Sequence, residues 1–402
     1  MGDLSWRFDE REFNNVKEVL DSGFGSSTTG GMNSRFERAF ADRFDMNYAI
    51  SFNSGTTTLH AALWALGVRS GDEVITTPLT VVSCMNAIIY CNAVPVFADV
   101  DPDTYLIDPD DIERKITSRT KAIMPVHLYG QVCDMERIMA IAEKYNLKVV
   151  EDCAQCYLGT QNGKIGGTLG DIGSWSLENS KHLTTGDGGI IACNDEKLAE
   201  KLRKLNTQGQ RNATAVSGQT RVDKVIYQDP AFKRHDTFGF MYRLPEVAAA
   251  LGLAQIEKVD WFVSKREQMA AMYREVVEGC DFFQIQKTPE GDRNSYYAFA
   301  ARFISEEITW YEFRDTYREN GGDGIYAAWA LCYEEDVIPE IKEILKSIGL
   351  ENRFNTERGI CPQAELIQPQ LMQFTTNQKD EHEMRKQAEA LKKTITYFTS
   401  KK

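Results

Sequence analysis

Short apolar runs alternate with helix-like segments between residues 73 and 152, and this alternation limits the possible folds more than any other feature. The strand-like runs, such as residues 94–98, 122–127 and 148–152, are rich in apolar and β-branched side chains. An amphipathic segment at residues 135–145 is typical of the helices between them. The pattern predicts an α/β fold with a largely parallel sheet between helices. In such a fold a ligand binds beyond the carboxyl ends of the strands.

The chain has 402 residues, which is too long for a single small core, so we expect two domains. Residues 1–262 form the predicted large domain, which includes an N-terminal helix and loop. Residues 263–402 form the predicted small C-terminal domain, because strand-like and helical segments are mixed there. A long amphipathic helix near residues 263–277 marks the boundary.

Charge and composition exclude several classes of partner. The net charge of −13, without a long Lys/Arg stripe, argues against nucleic acid. No apolar run is long enough to span a membrane, and the first residues lack the apolar core of a signal peptide, so we expect a cytoplasmic protein. The nine cysteines are scattered, which is typical of reduced thiols. Cys153 and Cys156 form a C-x-x-C pair, but no second pair has zinc-site spacing, so no metal site is predicted.

A strand-like run, a polar turn and a helix follow one another between residues 49 and 66. Free backbone amides and the positive end of the helix dipole meet at this turn, and Ser54 and Thr56 add hydroxyl groups. The turn would therefore hold a phosphate group. The alternative is an ordinary helix cap by Ser or Thr. A Ser/Gly-rich loop at residues 23–31 could also bind phosphate or serve only as a connector.

Polar side chains follow two of the predicted strands. One strand leads into the segment that begins at His127, and the next ends at Asp152, with Gln155 shortly after it. Because parallel strands end at the same edge of the sheet, a carboxylate and an amide are expected in the ligand crevice.

A single lysine, Lys181, stands between an apolar run and a glycine-rich turn. A lysine that is held partly out of water can lose its proton near neutral pH and attack a carbonyl carbon. The alternative is a solvated surface lysine. Together, Asp152, Lys181 and the turn at Ser54 supply the three parts that pyridoxal phosphate (PLP) needs: a partner for the ring nitrogen, an amine for the aldehyde, and donors for the phosphate.

Eight short segments extend this pattern over most of the chain, and their order and spacing match a known family: residues 54–56, 86–90, 95–101, 125–131, 151–155, 174–189, 242–243 and 248–255. The sequence resembles the sugar aminotransferases of the DegT/DnrJ/EryC1/StrS family, within the aspartate-aminotransferase-like (fold type I) PLP enzymes. The resemblance implies a large domain with a mostly parallel seven-stranded sheet and a smaller α+β C-terminal domain.

The resemblance also implies roles for individual residues. Lys181 matches the lysine that forms the Schiff base and moves protons, and Asp152 matches the partner of the pyridinium nitrogen. Gln155 matches the residue that lies beside the ring hydroxyl. The implied phosphate site is formed by Ser54, Gly55, Thr56 and Ser176. The implied substrate residues are Thr29, His127, Tyr242, Arg243 and Tyr326.

The implied reaction is a ping-pong transfer of an amino group, usually from L-glutamate, to a keto sugar that is carried by a nucleotide. The cofactor would alternate between its pyridoxal and pyridoxamine forms. The product would be an amino sugar for a surface polysaccharide, such as O-antigen, or for a glycosylated metabolite. The enzyme would be a homodimer in which each active site is completed by the partner subunit.

Three positions depart from the family pattern. Val81 stands where many members have an aromatic residue against the cofactor ring, and Met241 stands where many have an asparagine that reaches the neighbouring subunit's phosphate. Residues 321–329 differ from the common substrate-side segment. These departures bear on the identity of the sugar more than on the use of PLP.

Two other functions remain open. Some relatives are PLP-dependent 3-dehydratases of keto sugars, in which a histidine replaces the lysine; here position 181 is lysine, and His182 is its neighbour. The acceptor could also be a sugar without a nucleotide. The basic segment at residues 211–234 favours a phosphorylated substrate, although solvated surface charge would explain it equally well.

Overall fold

The structure is a computed structural model that describes residues 4–24, 31–218 and 222–400. Its strands are β1 Tyr48–Phe52, β2 Glu73–Thr76, β3 Val94–Phe97, β4 Thr120–Met124, β5 Lys148–Asp152, β6 Thr160–Gln161, β7 Lys164–Ile165, β8 Ile172–Ser176, β9 Gly189–Cys193, β10 Phe283–Ile285, β11 Ala298–Phe303, β12 Ile325–Ala327 and β13 Leu371–Thr375.

Its α-helices are α1 Glu10–Asp21, α2 Met32–Phe44, α3 Gly55–Ala65, α4 Ser83–Tyr90, α5 Pro109–Lys115, α6 Met135–Tyr145, α7 Glu196–Asn206, α8 Lys224–Gln228, α9 Glu246–Ile256, α10 Val259–Val277, α11 Trp310–Glu319, α12 Ile338–Ser347, α13 Pro362–Ile367 and α14 Glu381–Thr399. A 3₁₀ turn at Ser5–Arg7 precedes α1.

Seven strands form the large sheet, in the order β1-β9-β8-β5-β4-β2-β3. β9 runs antiparallel to both of its neighbours, and the other adjacent pairs are parallel. Strands β2 and β9 are buried along their whole length, as expected when helices cover both faces of a sheet. The predicted seven-stranded, mostly parallel sheet is confirmed.

Helix α3 connects the large sheet to the candidate site. It begins directly after β1 and contacts β8, β9, α4 and α7. Neighbours on several sides explain why this apolar helix is buried over most of its surface, with seven of its eleven residues buried. Its N-terminus is therefore held firmly at the edge where β5 and β8 end.

The second sheet has the order β10-β11-β13-β12, and its pairs are antiparallel. It packs on helices α10, α11 and α14 through a core with many aromatic residues, among them Tyr273, Phe299, Phe313 and Phe374. These elements form the smaller C-terminal α+β part that the resemblance implies.

Helix α10 crosses the predicted domain boundary between residues 262 and 263. Its early residues Phe262 and Val263 pack in the core of α2 and α9, whereas Met269 and Tyr273 pack in the core of the second sheet. The division therefore stays a proposal, with α10 as an element that both parts share. None of the described helices combines the length and the apolar character that a membrane crossing requires.

Candidate active site

The turn between β1 and α3 forms the first wall of the candidate site. The Ser54 side chain accepts a hydrogen bond from the Thr57 amide at 3.2 Å, so it caps α3. The first turn of α3 contains no acidic residue. Because the first amides of a helix have no partner within the helix, this turn still offers donors and a positive dipole end to an anion. The predicted helix cap is confirmed, and the phosphate site stays a prediction.

Gly55 and Ser176 lie in close contact at this wall. A Cβ atom added to Gly55 would lie 2.7 Å from the Ser176 Cβ atom and 3.2 Å from its Cα atom. On β9, Gly189 pairs with Ser176, and a Cβ atom added to Gly189 would lie 2.5 Å from the Ser54 carbonyl oxygen. Only glycine allows the turn to approach β8 and β9 this closely. The four predicted phosphate residues are therefore neighbours.

Asp152 stands at the end of β5 with 2% of its surface exposed. Its Oδ1 atom accepts from the Ala154 amide at 2.9 Å, and its Oδ2 atom accepts from the Cys84 thiol at 3.0 Å. Among the described residues it forms no ion pair with a Lys, Arg or His side chain. Burying a carboxylate without a cation is unfavourable, so a cationic group on a ligand would compensate its charge.

The Asp152 carboxylate and the α3 turn belong to one framework. Asp152 is in register with Ser174 on β8, and the Ser174 hydroxyl lies 2.7 Å from the Thr58 hydroxyl on α3. Two residues from Ser174 along β8, Ser176 contacts Gly55. The side chains predicted to bind the ring nitrogen and the phosphate are thus supported by the same strand.

Gln155 is buried, and its Oε1 atom accepts a hydrogen bond from the Tyr129 amide at 2.9 Å. This bond links the segment after β5 to the segment after β4. Tyr129 has a left-handed backbone conformation, with φ of 62°, which is uncommon for a residue with a bulky side chain. The structure therefore holds Gln155 close to the end of β5, and its contact with a cofactor stays a prediction.

His127 is fully buried, and both of its ring nitrogens are engaged within the chain. Its Nδ1 atom accepts from the Cys133 amide at 3.1 Å, so the proton of the neutral ring is on Nε2, which donates to Glu151 at 2.8 Å. The predicted contact between His127 and substrate would require one of these hydrogen bonds to break.

Lys181 is half-buried in the irregular segment that follows β8. Its Nζ atom lies 4.8 Å from the centre of the Tyr297 ring, where a cation is attracted to the face of an aromatic side chain. The Tyr297 hydroxyl lies 2.9 Å from the Ser180 hydroxyl, which fixes the ring beside the lysine. Lys181 is therefore not freely solvated, in contrast to the alternative of a surface lysine.

His182 occupies a different environment from its neighbour Lys181. It is 1% exposed, and its Nε2 atom donates to the Ser295 carbonyl at 2.9 Å. Burial, with a smaller contribution from the Arg266 charge, lowers the pKa of His182 well below its usual range. The ring is therefore neutral and enclosed, and it cannot take the place of Lys181.

The predicted substrate residues are in several environments. The Tyr242 hydroxyl lies 3.1 Å from the His60 Nδ1 atom, so Tyr242 is tied to α3. Arg243 is exposed and forms a single β-bridge with Phe52 at the end of β1. Tyr326, on β12, is 52% exposed. Thr29 lies outside the described residues. Their contacts with substrate stay predictions.

Three residues that support the site were not predicted from the sequence. Ser83, at the start of α4, accepts a hydrogen bond from the Thr56 hydroxyl at 3.0 Å. Cys84 donates to Asp152, and Tyr297 lies against Lys181. The start of α4 after a predicted strand was a signal for the first two residues. Tyr297 comes from a distant part of the chain, and no local pattern could have indicated it.

The positions that depart from the family pattern are accessible. Val81 is half-buried just before α4, and Met241 is 49% exposed. The basic segment at residues 211–234 is mostly exposed in its described parts. Arg221 lies outside the described residues.

Cys153 and Cys156 are buried, and burial raises the pKa of both thiols above its usual value. They are protonated packing residues. The described residues contain no cluster of potential metal ligands.

Comparisons with known proteins agree with this geometry. A sequence model of the DegT/DnrJ/EryC1/StrS aminotransferase family matches residues 7–321. A GDP-perosamine synthase from Caulobacter vibrioides is 43% identical over 272 residues, which are 67% of this chain and 68% of that protein. Another GDP-perosamine synthase, from Escherichia coli O157:H7, is 39% identical over 288 residues, which are 72% of this chain and 73% of that protein.

A solved structure extends the similarity to the whole chain. An aminotransferase from Psychrobacter cryohalolentis superposes with a TM-score of 0.83 and 28% sequence identity, covering 98% of both chains. The likeness therefore includes the C-terminal part, which lies largely beyond the match to the family.

Proposed function

Since the chain belongs to the DegT/DnrJ/EryC1/StrS aminotransferase family, we propose that it transfers the amino group of L-glutamate to the keto carbon of a GDP-linked deoxy sugar. It is a PLP-dependent aminotransferase with the fold type I architecture. The relatives named GDP-perosamine synthase support GDP as the carrier. The amino sugar product would serve a surface polysaccharide or a glycosylated metabolite.

One observation carries the proposal: the buried Asp152 carboxylate lacks a cationic partner among the described residues and stands on the same framework as the capped N-terminus of α3. A buried carboxylate beside a helix N-terminus fits the ring nitrogen and the phosphate group of PLP. Asp152 would hold the ring nitrogen, and the phosphate would be held by Ser54, Gly55, Thr56 and Ser176. Gln155 would lie beside the ring hydroxyl, and Lys181 would bind the aldehyde carbon. When bound, PLP supplies an electron-accepting ring that stabilises the charge left after a C–H bond breaks.

Lys181 is the proposed acid and base of the reaction. Its amine would take the proton from the α-carbon of L-glutamate, which leaves as 2-oxoglutarate once its nitrogen has been transferred. In the second half of the reaction, the same amine would exchange a proton at the sugar carbon that receives the nitrogen. The Tyr297 ring beside Nζ would hold the amine over the reacting carbon while the substrates change.

The lysine at position 181 supports transamination over 3-dehydration of a keto sugar. Dehydratase relatives carry a histidine at the matching position. The histidine of this chain, His182, is buried, and its Nε2 atom is occupied by the Ser295 carbonyl. No observation favours the dehydratase.

We also propose that two copies of the chain form a homodimer with shared active sites. Apolar side chains are exposed in the segment between α8 and α9, where Phe238 is 66% exposed and Met241 is 49% exposed. Exposed apolar clusters are typical of protein interfaces. Multi-angle light scattering tests the proposal: Phe238→Glu should yield monomers, whereas Tyr311→Glu, at an exposed ring elsewhere, should not. A monomeric parent protein would contradict it.

The cofactor is tested with purified protein and PLP. We expect a visible absorption band that borohydride abolishes, and release of 2-oxoglutarate on addition of L-glutamate. A protein without such a band would refute the use of PLP.

The acceptor is tested by offering the amino-loaded enzyme keto sugars linked to GDP, UDP or dTDP, or free of nucleotide, and by detecting the amine product with mass spectrometry. We expect the highest kcat/KM with the GDP-linked sugar. An equal kcat/KM with the free sugar would contradict the proposed carrier.

A further inference from the structure

The segment Asn179–His182, which we call the lysine loop, is held by arginine side chains rather than by regular secondary structure. Arg7 reaches it from the 3₁₀ turn before α1. The Arg7 Nη1 atom donates to the Asn179 carbonyl at 2.8 Å. Its Nη2 atom donates to the carbonyls of Lys181 at 2.7 Å and His182 at 2.8 Å.

Arg266, from helix α10, completes the set. Its Nη2 atom donates to the Ser180 carbonyl at 3.2 Å, the one carbonyl of the lysine loop that Arg7 does not bind. Its Nη1 atom donates to the Tyr297 carbonyl at 2.8 Å and to the Thr376 hydroxyl at 3.0 Å. All four carbonyls of the lysine loop thus accept from a guanidinium group. Arg266 also fixes the residue whose ring lies against the lysine.

Both arginines are buried cations. Arg7 is 2% exposed and Arg266 is 4% exposed, and neither forms an ion pair within the described part of the chain. Burial lowers the pKa of Arg7 to about 10, and burial together with the Arg7 charge lowers the pKa of Arg266. Both groups stay charged near neutral pH. Arg203 differs, because its buried guanidinium pairs with Glu37 at 2.8 Å.

Two buried cations without ion pairs are an unfavourable way to satisfy four carbonyl groups, because neutral amide side chains could donate the same bonds. Their cost is understandable if the planar fork itself has a use, because one guanidinium can donate to several carbonyls in a fixed geometry. The Arg266 guanidinium and the Lys181 Nζ atom lie over the same Tyr297 ring, at 5.7 Å and 4.8 Å from its centre. Arg266 therefore contacts both the loop backbone and the ring that lies beside the Lys181 amine.

The anchors of the two arginines lie in different parts of the fold. The Arg7 carbonyl accepts from Gln255 on α9 at 3.0 Å and from Lys258 at 2.9 Å, which fixes the N-terminal turn on the large domain. Arg266 belongs to the helix that the two parts of the molecule share. The orientation of Lys181 thus depends on both the N-terminal turn and α10.

We propose that Arg7 and Arg266 are positioning residues that fix the lysine loop for cofactor binding. This inference rests on the proposed role of Lys181 as the residue that binds PLP. It assigns one task to both arginines: the planar fork of each guanidinium holds the backbone carbonyls of the loop and so sets the direction of the Lys181 side chain.

Two kinds of variant of the PLP-loaded enzyme test this task. Arg7→Met and Arg266→Met remove both the fork and the charge, and they should release PLP several times faster than the parent. Arg7→Lys and Arg266→Lys keep the charge but lose the fork. They should therefore release PLP about as fast as the Met variants, and a parent-like release rate in the Lys variants would show that the fork is not required.

Arg203→Met is the matched control, because it removes a buried guanidinium that does not contact the lysine loop. It should lower the melting temperature and leave the PLP release rate unchanged. The inference is overturned if the Met variants keep the parent PLP release rate while melting earlier, as the control does. If the Met variants do not fold, a parent-like PLP release rate in both Lys variants overturns it. A parent protein without a visible band would instead contradict the proposed function itself.

Discussion

Replacing Gly55 with alanine should force the phosphate-binding turn away from β8. The added methyl group would lie 2.7 Å from the Ser176 Cβ atom, 3.1 Å from its Oγ atom and 3.2 Å from its Cα atom. Carbon atoms pack at about 3.5 to 4.0 Å, so the turn or the strand must move by several tenths of an ångström. The backbone of Gly55 is helical, so alanine adds no conformational strain of its own.

The size of the effect follows from the atoms that clash. Overpacking of a tightly filled space costs about 1 to 3 kcal/mol, and we expect about 2 kcal/mol for Gly55→Ala. Ser176→Gly removes the two nearest atoms, so that the nearest remaining atom of residue 176 is its backbone α-carbon, 3.2 Å away. Glycine in a strand costs about 1 kcal/mol by itself. The double variant should therefore lose only about 1 kcal/mol, where simple addition gives about 3 kcal/mol.

Urea unfolding of the four cofactor-free proteins measures this cycle. A coupling free energy near −2 kcal/mol between Gly55 and Ser176 is expected. Additive losses, equal within about 0.5 kcal/mol, would refute the claim that the two residues compete for the same space. PLP titration of Gly55→Ala should independently show weaker binding, because the displaced turn no longer presents its amides to the phosphate.

Three further predictions concern single residues. Lys181→Ala should reduce release of 2-oxoglutarate by about 10³-fold, because the proton-transferring amine is lost; full turnover would refute its role. Asp152→Asn keeps the shape of the side chain but removes its charge, and kcat should fall by about 10²- to 10³-fold. The reason is that a charge pair about 4 Å apart in an effective dielectric of about 20 is worth about 4 kcal/mol. An unchanged kcat would count against a contact between Asp152 and the ring nitrogen. His60 is 3% exposed, and burial lowers its pKa to about 4. Because the unfolded chain binds the proton more readily, the unfolding free energy should fall by about 3 kcal/mol as the pH decreases from about 6.5 to about 4. His60→Gln should flatten that part of the stability profile, and an identical slope in the variant would contradict the assignment.

Sequence patterns predicted the parts of the fold that depend on local periodicity. The strands that contain Ile50, Val96 and Val150 are buried over most of their length because both faces of the large sheet are covered, and their apolar residues gave the signal. β13 was missed, although it lies between β11 and β12 in the second sheet. Its five residues follow a proline-containing turn, and apolar and polar side chains do not alternate regularly among them. Only the pairing with distant strands therefore defines this segment as a strand.

The candidate site was predictable where function depends on a short motif. The Ser54 turn and the Asp152 strand end each carry their chemistry in a few consecutive residues. Arg7 was not identified, because a single arginine near the N-terminus has no distinctive local pattern. Its contacts with the Lys181 and His182 carbonyls span more than 170 residues of sequence and exist only in the folded chain.

Burial explains why two adjacent side chains of the lysine loop have different uses. The backbone of this loop is fixed by Arg7, and the His182 ring is buried, with its Nε2 atom bonded to the Ser295 carbonyl. Lys181 extends from the neighbouring residue to the Tyr297 ring and keeps access to solvent. A neutral, enclosed imidazole cannot exchange protons with a substrate, whereas a half-buried amine can. The arginine-bound backbone therefore gives the two neighbours different environments, and only Lys181 keeps the exposure that proton exchange with a substrate requires.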